Sequence, residues 1–207
     1  MTATTLDWDR VASATREEPL RVLTSACLVG RNTGWEGTAY THALAVLLTR
    51  VPNVRVVSFC PEDFVLTTPR ALTFLHGGDG RDVLAGRAKI LDTDQRDHTQ
   101  ALTRGAHAML AVAKRERIEL AVLTDISDSC GTSVTYRGDP TQDKQFQAGP
   151  GVAAALLLAN GFAVISERDA RTLHQLLHAL DDQHVVDPSA LDATEQAWYR
   201  EYFRVLP

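Results

Sequence analysis

The sequence predicts an α/β fold: a single Rossmann-like three-layer domain with a mainly parallel sheet, plus C-terminal helices. Three observations carry this. Short apolar runs alternate with stretches of helical length, in the order strand, helix, strand, loop with small strands, helix, strand, helix, strand. The composition, 44% apolar and 23% charged over 207 residues, is that of one globular domain large enough to build a core without covalent staples. The three cysteines, Cys27, Cys60 and Cys130, each stand where an apolar run gives way to a loop. In a parallel sheet such run ends share the carboxyl edge, where open α/β sheets bind their ligands.

Taken in order, residues 5–17 read as a short amphipathic helix with Leu6, Trp8, Val11 and Ala12 on one face, ended by Pro19. The first strand runs from Arg21 to Cys27, and Gly30, Gly34 and Gly37 make the loop after it permissive. A helix over Thr41–Arg50 follows, then a strand that reaches Cys60. From Pro61 to Arg70 the two prolines predict loop, with a short strand at Ala71–Leu75 and a hairpin partner at Arg87–Asp92. His76-Gly77-Gly78-Asp79-Gly80 is a turn signal. It lacks the Lys-Ser/Thr ending and the strand–loop–helix frame of a phosphate loop. Helices are expected at 98–116 and 152–159, the latter closed by Asn160-Gly161, with strands at 118–124 and 162–166. Residues 131–150 read as an extended loop over the active face. Two last helices, about 168–181 and 189–204, close the chain. The second carries Trp198, Tyr199, Tyr202 and Phe203, an aromatic stripe that suits core packing or a homodimer contact.

A net charge of −5 argues against nucleic-acid binding, which needs a basic face to displace counterions. No apolar run approaches the roughly 20 residues that span a bilayer, so no membrane partner is expected. The first residues lack the basic start and apolar segment of a signal peptide, which makes the cytoplasm the expected compartment. An odd number of widely spaced cysteines does not suit a secreted disulfide framework, and no CxxC pair is present.

Three thiols at one sheet edge allow three chemistries. A Cys₃ zinc site with an open water position is a hydrolytic centre. One thiolate paired with a histidine is a nucleophile, although none of His42, His76, His98 or His107 has a context that selects it. A [4Fe-4S] cluster held by three cysteines leaves one iron open to a soft atom such as sulfur. Buried cysteines acting as small hydrophobes are the ordinary alternative.

The segments Ser25-Ala26-Cys27-Leu28-Val29-Gly30, Cys60-Pro61-Glu62 with Thr68-Pro69-Arg70, and Ser127-Asp128-Ser129-Cys130-Gly131 resemble the signature segments of the DUF523 family, which includes thiouracil desulfidases. Gly78-Asp79-Gly80, Asp97-His98-Thr99 and Gly149-Pro150-Gly151-Val152 match in the same order, and the resemblance spans about Arg21 to Glu167. It implies an N-terminal helical extension over 1–20, a cluster-binding α/β domain over 21–167 and a C-terminal helical extension over 168–207.

The resemblance further implies a [4Fe-4S] cluster on Cys27, Cys60 and Cys130 and a small thiolated substrate. The open iron would take a thiocarbonyl sulfur, water would add to the carbon, and hydrosulfide would leave without redox change. Glu62 is the first candidate to relay the proton of that water, with Glu36 and Asp125 behind it. Ser127 and Ser129 are candidates to donate hydrogen bonds to cluster sulfurs or substrate, although turn formation would also explain them. A sulfide-binding or sulfur-transfer protein that does not hydrolyse its ligand is the alternative. This chain departs from the family pattern beside the ligands, at Gly34-Trp35-Glu36-Gly37, Asp63-Phe64-Val65-Leu66, Thr124-Asp125-Ile126 and Asp128. Those departures bear on substrate identity and leave the three thiols in place.

Overall fold

The structure is a computed structural model that describes residues 5–204. Residues 1–4 and 205–207, the outer ends of the two expected extensions, lie outside the described residues. Helix α1 (Trp8–Ala12) is capped by Asp7, whose side chain accepts from the Arg10 amide, and leads to strand β1 (Leu20–Ser25). Helix α2 (Ala43–Leu48), strand β2 (Val54–Phe59) and helix α3 (Pro61–Leu66) follow. Strand β3 (Thr73–His76), helix α4 (Gly80–Leu84) and strand β4 (Lys89–Asp92) form a side unit in which β3 and β4 pair antiparallel. Helix α5 (Thr99–Arg115) and strand β5 (Leu120–Leu123) return to the centre. Strands β6 (Val134–Tyr136) and β7 (Phe146–Ala148) form an antiparallel pair before helix α6 (Val152–Ala159) and strand β8 (Ala163–Ser166). Helix α7 (Ala170–Leu180), a 3-10 turn at Ala193–Glu195 and helix α8 (Ala197–Phe203) end the chain.

The central sheet has four strands in the order β2-β1-β5-β8, and every neighbouring pair is parallel. Side chains alternate across it with the period-2 rule. Leu20 and Val22 of β1 and Leu120 and Val122 of β5 face a core shared with α1, α2 and α7. Leu23, Ala121 and Leu123 face the other core, built on α5, α6 and the β3–β4 unit. Both faces are therefore covered, which is the three-layer arrangement expected of a sheet whose strands are apolar throughout. The chain leaves β1 for β2 on one side and later places β5 on the other. The order reverses between β1 and β5, and the carboxyl ends of strands at such a switch point form a crevice.

Several expected elements differ. The helix expected over 5–17 shortens to α1, because Ser13 donates to the Arg10 carbonyl and Thr15 accepts from the Glu18 amide, taking backbone groups that a longer helix would use. The strand expected to reach Cys27 stops at Ser25, and Ala26–Val29 wind into a 3-10 turn closed by Gly30 at φ 88°. Residues 61–66, expected as loop, are helix α3. Pro61 occupies the first turn, where its missing N–H costs nothing, Glu62 and Asp63 suit the positive helix end, and the Cys60 sulfur accepts from the Asp63 amide. The glycines at 77–80 do sit in a strand–loop–helix frame, against expectation. Asp79 caps α4 there in a reciprocal box with Asp82. The extended loop at 131–150 contains the β6–β7 pair, and the helix expected over 189–204 is only the 3-10 turn plus α8.

Candidate active site

A cavity of about 540 Å³ opens at the carboxyl ends of β1, β2 and β5, and Cys27, Cys60 and Cys130 all line it. Each thiol is set by a different local device. Cys27 is on the 3-10 turn after β1, with its sulfur 3.2 Å from the Thr124 hydroxyl. Cys60 is the N-cap of α3 and also faces the Thr33 carbonyl at 3.8 Å. Cys130 sits in a turn tied to α6. The free amides at the start of that helix, Val152 and Ala153, donate to the carbonyls of Asp128 and Ser129 at 2.8 Å each, while Gly151 donates to Gly131 at 2.8 Å. A Cβ on Gly151 would meet the Ser129 carbonyl carbon at 2.6 Å, so only glycine lets the helix approach.

Burial dominates the electrostatics of the sulfurs. It pushes the Cys27 thiol up to about 11 and raises Cys60, and Cys130 stands well above its ordinary value. Glu62 raises all three further, and its carboxylate is the strongest feature of the site. Glu62 Oε2 receives the Arg70 guanidinium through Nε at 3.0 Å and Nη2 at 2.6 Å, and both side chains are nearly buried, at 13% and 6% exposed. Arg70 Nη2 also donates to the Thr33 carbonyl at 3.0 Å, so the same carbonyl holds the guanidinium and faces Cys60. The other carboxylate oxygen, Oε1, accepts from Ser127 at 3.3 Å and from Ser129. Ser129 in turn is 3.8 Å from the Cys130 sulfur. Glu62, Ser127 and Ser129 are thus brought together with the three thiols.

The remaining candidates separate. Asp125 lines the cavity and is 5% exposed, but its Oδ1 accepts from the amides of Thr132, Ser133 and Val134, which makes it the anchor of the following loop. Its Oδ2 is buried without a partner among the described residues. Glu36 is exposed, receives Thr38 at 3.3 Å and Tyr40 at 3.4 Å, and does not line the cavity. It is Tyr40 that reaches the cavity, with its phenol pushed up to about 12 by burial first and Glu36 second. Asp128 lines the cavity at 7% exposure, with its carboxyl pushed up by burial and by Glu62. Glu167, at the end of β8, also lines the wall and is pushed up to about 7, mainly by burial.

The donor set discriminates among the chemistries open from the sequence. Thiols held neutral by burial, with no histidine among the described residues of the cavity wall, do not form an activated Cys–His nucleophile. Among the described residues no three Cys, His, Asp or Glu side chains are close enough to hold a single metal ion, which disfavours a Cys₃ zinc centre. Three thiols facing one cavity without closing on a point fit a polynuclear iron–sulfur group, in which each thiolate takes a different iron.

Residues 22–169 match the family described as 2-thiouracil desulfurase. The chain belongs to the 2-thiouracil desulfurase family. One relative is the uncharacterized protein YbbK of Bacillus subtilis (strain 168), 36% identical over 150 residues that cover 72% of this chain and 96% of the relative. The solved structure of the [4Fe-4S]-dependent thiouracil desulfidase TudS (DUF523Vcz) superimposes with a TM-score of 0.62 at 26% identity, covering 76% of this chain and 97% of that one. The family and the α/β fold expected from the signature segments are therefore found. As a member of the 2-thiouracil desulfurase family, this chain carries about a quarter of its length outside the match to either relative.

Sequence reasoning missed Tyr40 and four further residues of the site. Arg70 belonged to a matched segment but had no role, because nothing in its spacing from Glu62 signals an ion pair across a helix and a turn. Asp128 was visible only as a departure from the family pattern. Glu167 and Arg168 line the cavity from the end of β8, a strand with no cysteine to draw attention to it.

Proposed function

We propose that this chain is an enzyme that removes sulfur from a thiocarbonyl heterocycle of the 2-thiouracil type, using a [4Fe-4S] cluster held by Cys27, Cys60 and Cys130. The observation that carries the proposal is the convergence of three thiols, two buried and one half-buried, from three strand ends on one cavity, beside a carboxylate clamped by Arg70 and two serines. When bound, such a cluster supplies a Lewis-acidic iron suited to a sulfur atom. The chain's own residues do the rest. Arg70 fixes Oε2 of Glu62, so that Oε1 is the oxygen turned toward the reacting groups. Glu62 orients a water and accepts its proton as the C–O bond forms, then returns that proton as the C–S bond breaks. The second proton of the water leaves from the hydroxyl of the adduct as the carbonyl forms, so thiocarbonyl and water become carbonyl, hydrosulfide and a proton, with no change of oxidation state. Ser127 and Ser129 point their hydroxyl protons at Oε1 and so hold Glu62, while the apolar part of the wall, with Trp35, Tyr40 and Tyr136, suits a flat ring.

Anaerobic reconstitution with iron and sulfide tests the reading. The expected product is a brown protein with about four irons per chain that releases sulfide from 2-thiouracil. A colourless protein that binds zinc would overturn the cofactor assignment. A loaded protein that releases no sulfide from a panel of thiolated pyrimidines would instead be a sulfur-ligand carrier.

A further inference from the structure

The residues after the family match do not simply trail from the domain; they fold back to the cavity. Asp169 and Asp192 set the path: the Ala193 amide donates to Asp169 at 3.0 Å, and Asp192 receives the amide and hydroxyl of Thr172 at 2.9 and 2.7 Å. This reciprocal capping delivers Gln196 to Arg168, the cavity-lining residue just after β8. Arg168 Nη2 donates to the Gln196 side-chain carbonyl at 3.2 Å, and its guanidinium lies 4.8 Å from the centre of the Trp198 ring. The Trp198 indole N–H donates to the same Gln196 oxygen at 2.8 Å, so amide and ring form one seat for the cation.

The same face of α8, one turn further along, grips the hairpin over the cavity. The Phe146 amide of β7 donates to the Tyr202 hydroxyl at 2.9 Å, and the Phe146 ring packs 5.4 Å from Tyr202 and 5.8 Å from Trp198. Phe146 stacks at 5.5 Å on Tyr136, which lines the cavity together with Thr141 and Lys144 of the intervening loop. One short helix therefore touches two walls, with Trp198 common to both and Tyr202 on the hairpin side alone. Among the described residues it buries none of its own and belongs to neither apolar core. Its contacts are thus separable from the packing that folds the domain.

We propose that this C-terminal segment completes the substrate cavity, with Gln196, Trp198 and Tyr202 as positioning residues that hold Arg168 and the β6–β7 hairpin against the bound heterocycle. The inference rests on the desulfidase reading for the identity of that ligand. Among the described residues Arg168 has no carboxylate partner, which leaves N–H groups for the oxygen or nitrogen acceptors of the ring, and Trp198 keeps the guanidinium plane in place by covering one face. The segment lies outside residues 22–169, so it sets this chain's ligand contact apart from that of a member lacking the segment.

Trp198→Leu and Tyr202→Phe in the full-length, cluster-loaded protein test this. Both variants should keep the iron and sulfide content of the parent. KM for 2-thiouracil should rise roughly five- to tenfold with kcat within about twofold, since substrate contact is lost and the reacting groups are untouched. Hydrogen exchange at the amides of 134–136 and 146–148 should quicken in both, while exchange in β1 and β5 stays unchanged. Unaltered KM and unaltered hairpin exchange in both variants would overturn the inference. Tyr202→Phe removes one oxygen only and decides the matter if Trp198→Leu folds poorly. Exchange needs neither turnover nor cluster, so it still separates the two outcomes if the parent releases no sulfide and the desulfidase reading itself fails.

Discussion

At the residue scale the site turns on how Glu62 is shared. One oxygen belongs to Arg70 and the other to two serine hydroxyls, so the carboxylate has a fixed orientation and little freedom to rotate. Glu62→Gln keeps the shape and can still offer an oxygen to Arg70, but it cannot take a proton. The expected result is retained iron content and a kcat lower by roughly a hundred- to ten-thousandfold, read by sulfide release. Arg70→Lys is not conservative here. A single ammonium cannot span both Glu62 and the Thr33 carbonyl, and that carbonyl also faces Cys60. A loss of about tenfold in kcat/KM is expected, from a carboxylate no longer held in place. The cysteines were legible because strand ends announce themselves in apolar periodicity. The pairing of Glu62 with Arg70, Ser127 and Ser129 was not, since Arg70 comes from the segment after α3 and the two serines from the loop after β5, and no repeat links these to Glu62.

At the element scale, the position of each thiol depends on where a helix is allowed to sit. Helix α3, with Cys60 as its cap, lies against α5 at Gly105, where a Cβ would stand 2.3 Å from the Pro61 carbonyl oxygen. Gly105→Ala must push that helix away and carry Cys60 with it. A loss of about 1–3 kcal/mol in unfolding free energy is expected, together with lower iron content after reconstitution. An equally close contact joins α4 to the start of α6, where a Cβ on Gly80 would stand 2.3 Å from the Gly151 carbonyl carbon and the Gly80 amide donates to the Pro150 carbonyl at 2.7 Å. Gly80 is thus a packing residue and Gly77, at φ 88°, a turn residue, within a strand–loop–helix frame that sequence reading misjudged. Helix α3 itself escaped sequence reading because prolines at 61 and 69 look like loop punctuation and cysteine is an unusual cap. Pro61 at a first turn and two acids behind it were the available signal.

At the scale of the molecule, the alternation of strands and helices was enough to expect a parallel sheet covered on both faces, and TudS shares that fold. The β6–β7 pair was lost to sequence reading because three-residue strands in a Gly- and Pro-rich segment carry no detectable period. Stability should carry the mark of acids enclosed at the sheet edge. Glu167 is pushed up to about 7 from an ordinary value near 4.5, chiefly by burial. The folded chain therefore binds the extra proton between those limits, and stability falls as pH rises through that window. Glu167→Gln removes this dependence. The parent and variant should unfold alike below about pH 4.5, and the variant should be the more stable by up to about 3 kcal/mol above pH 7, as measured by urea denaturation across the range.

The three sulfurs come from early, middle and late parts of the polypeptide and meet only where β1, β2 and β5 lie side by side. A ribosome-bound chain that has emerged only as far as β2 can offer two of them at most. With the cluster on Cys27, Cys60 and Cys130 as proposed, metallation would follow the meeting of β1, β2 and β5 rather than help to bring them together.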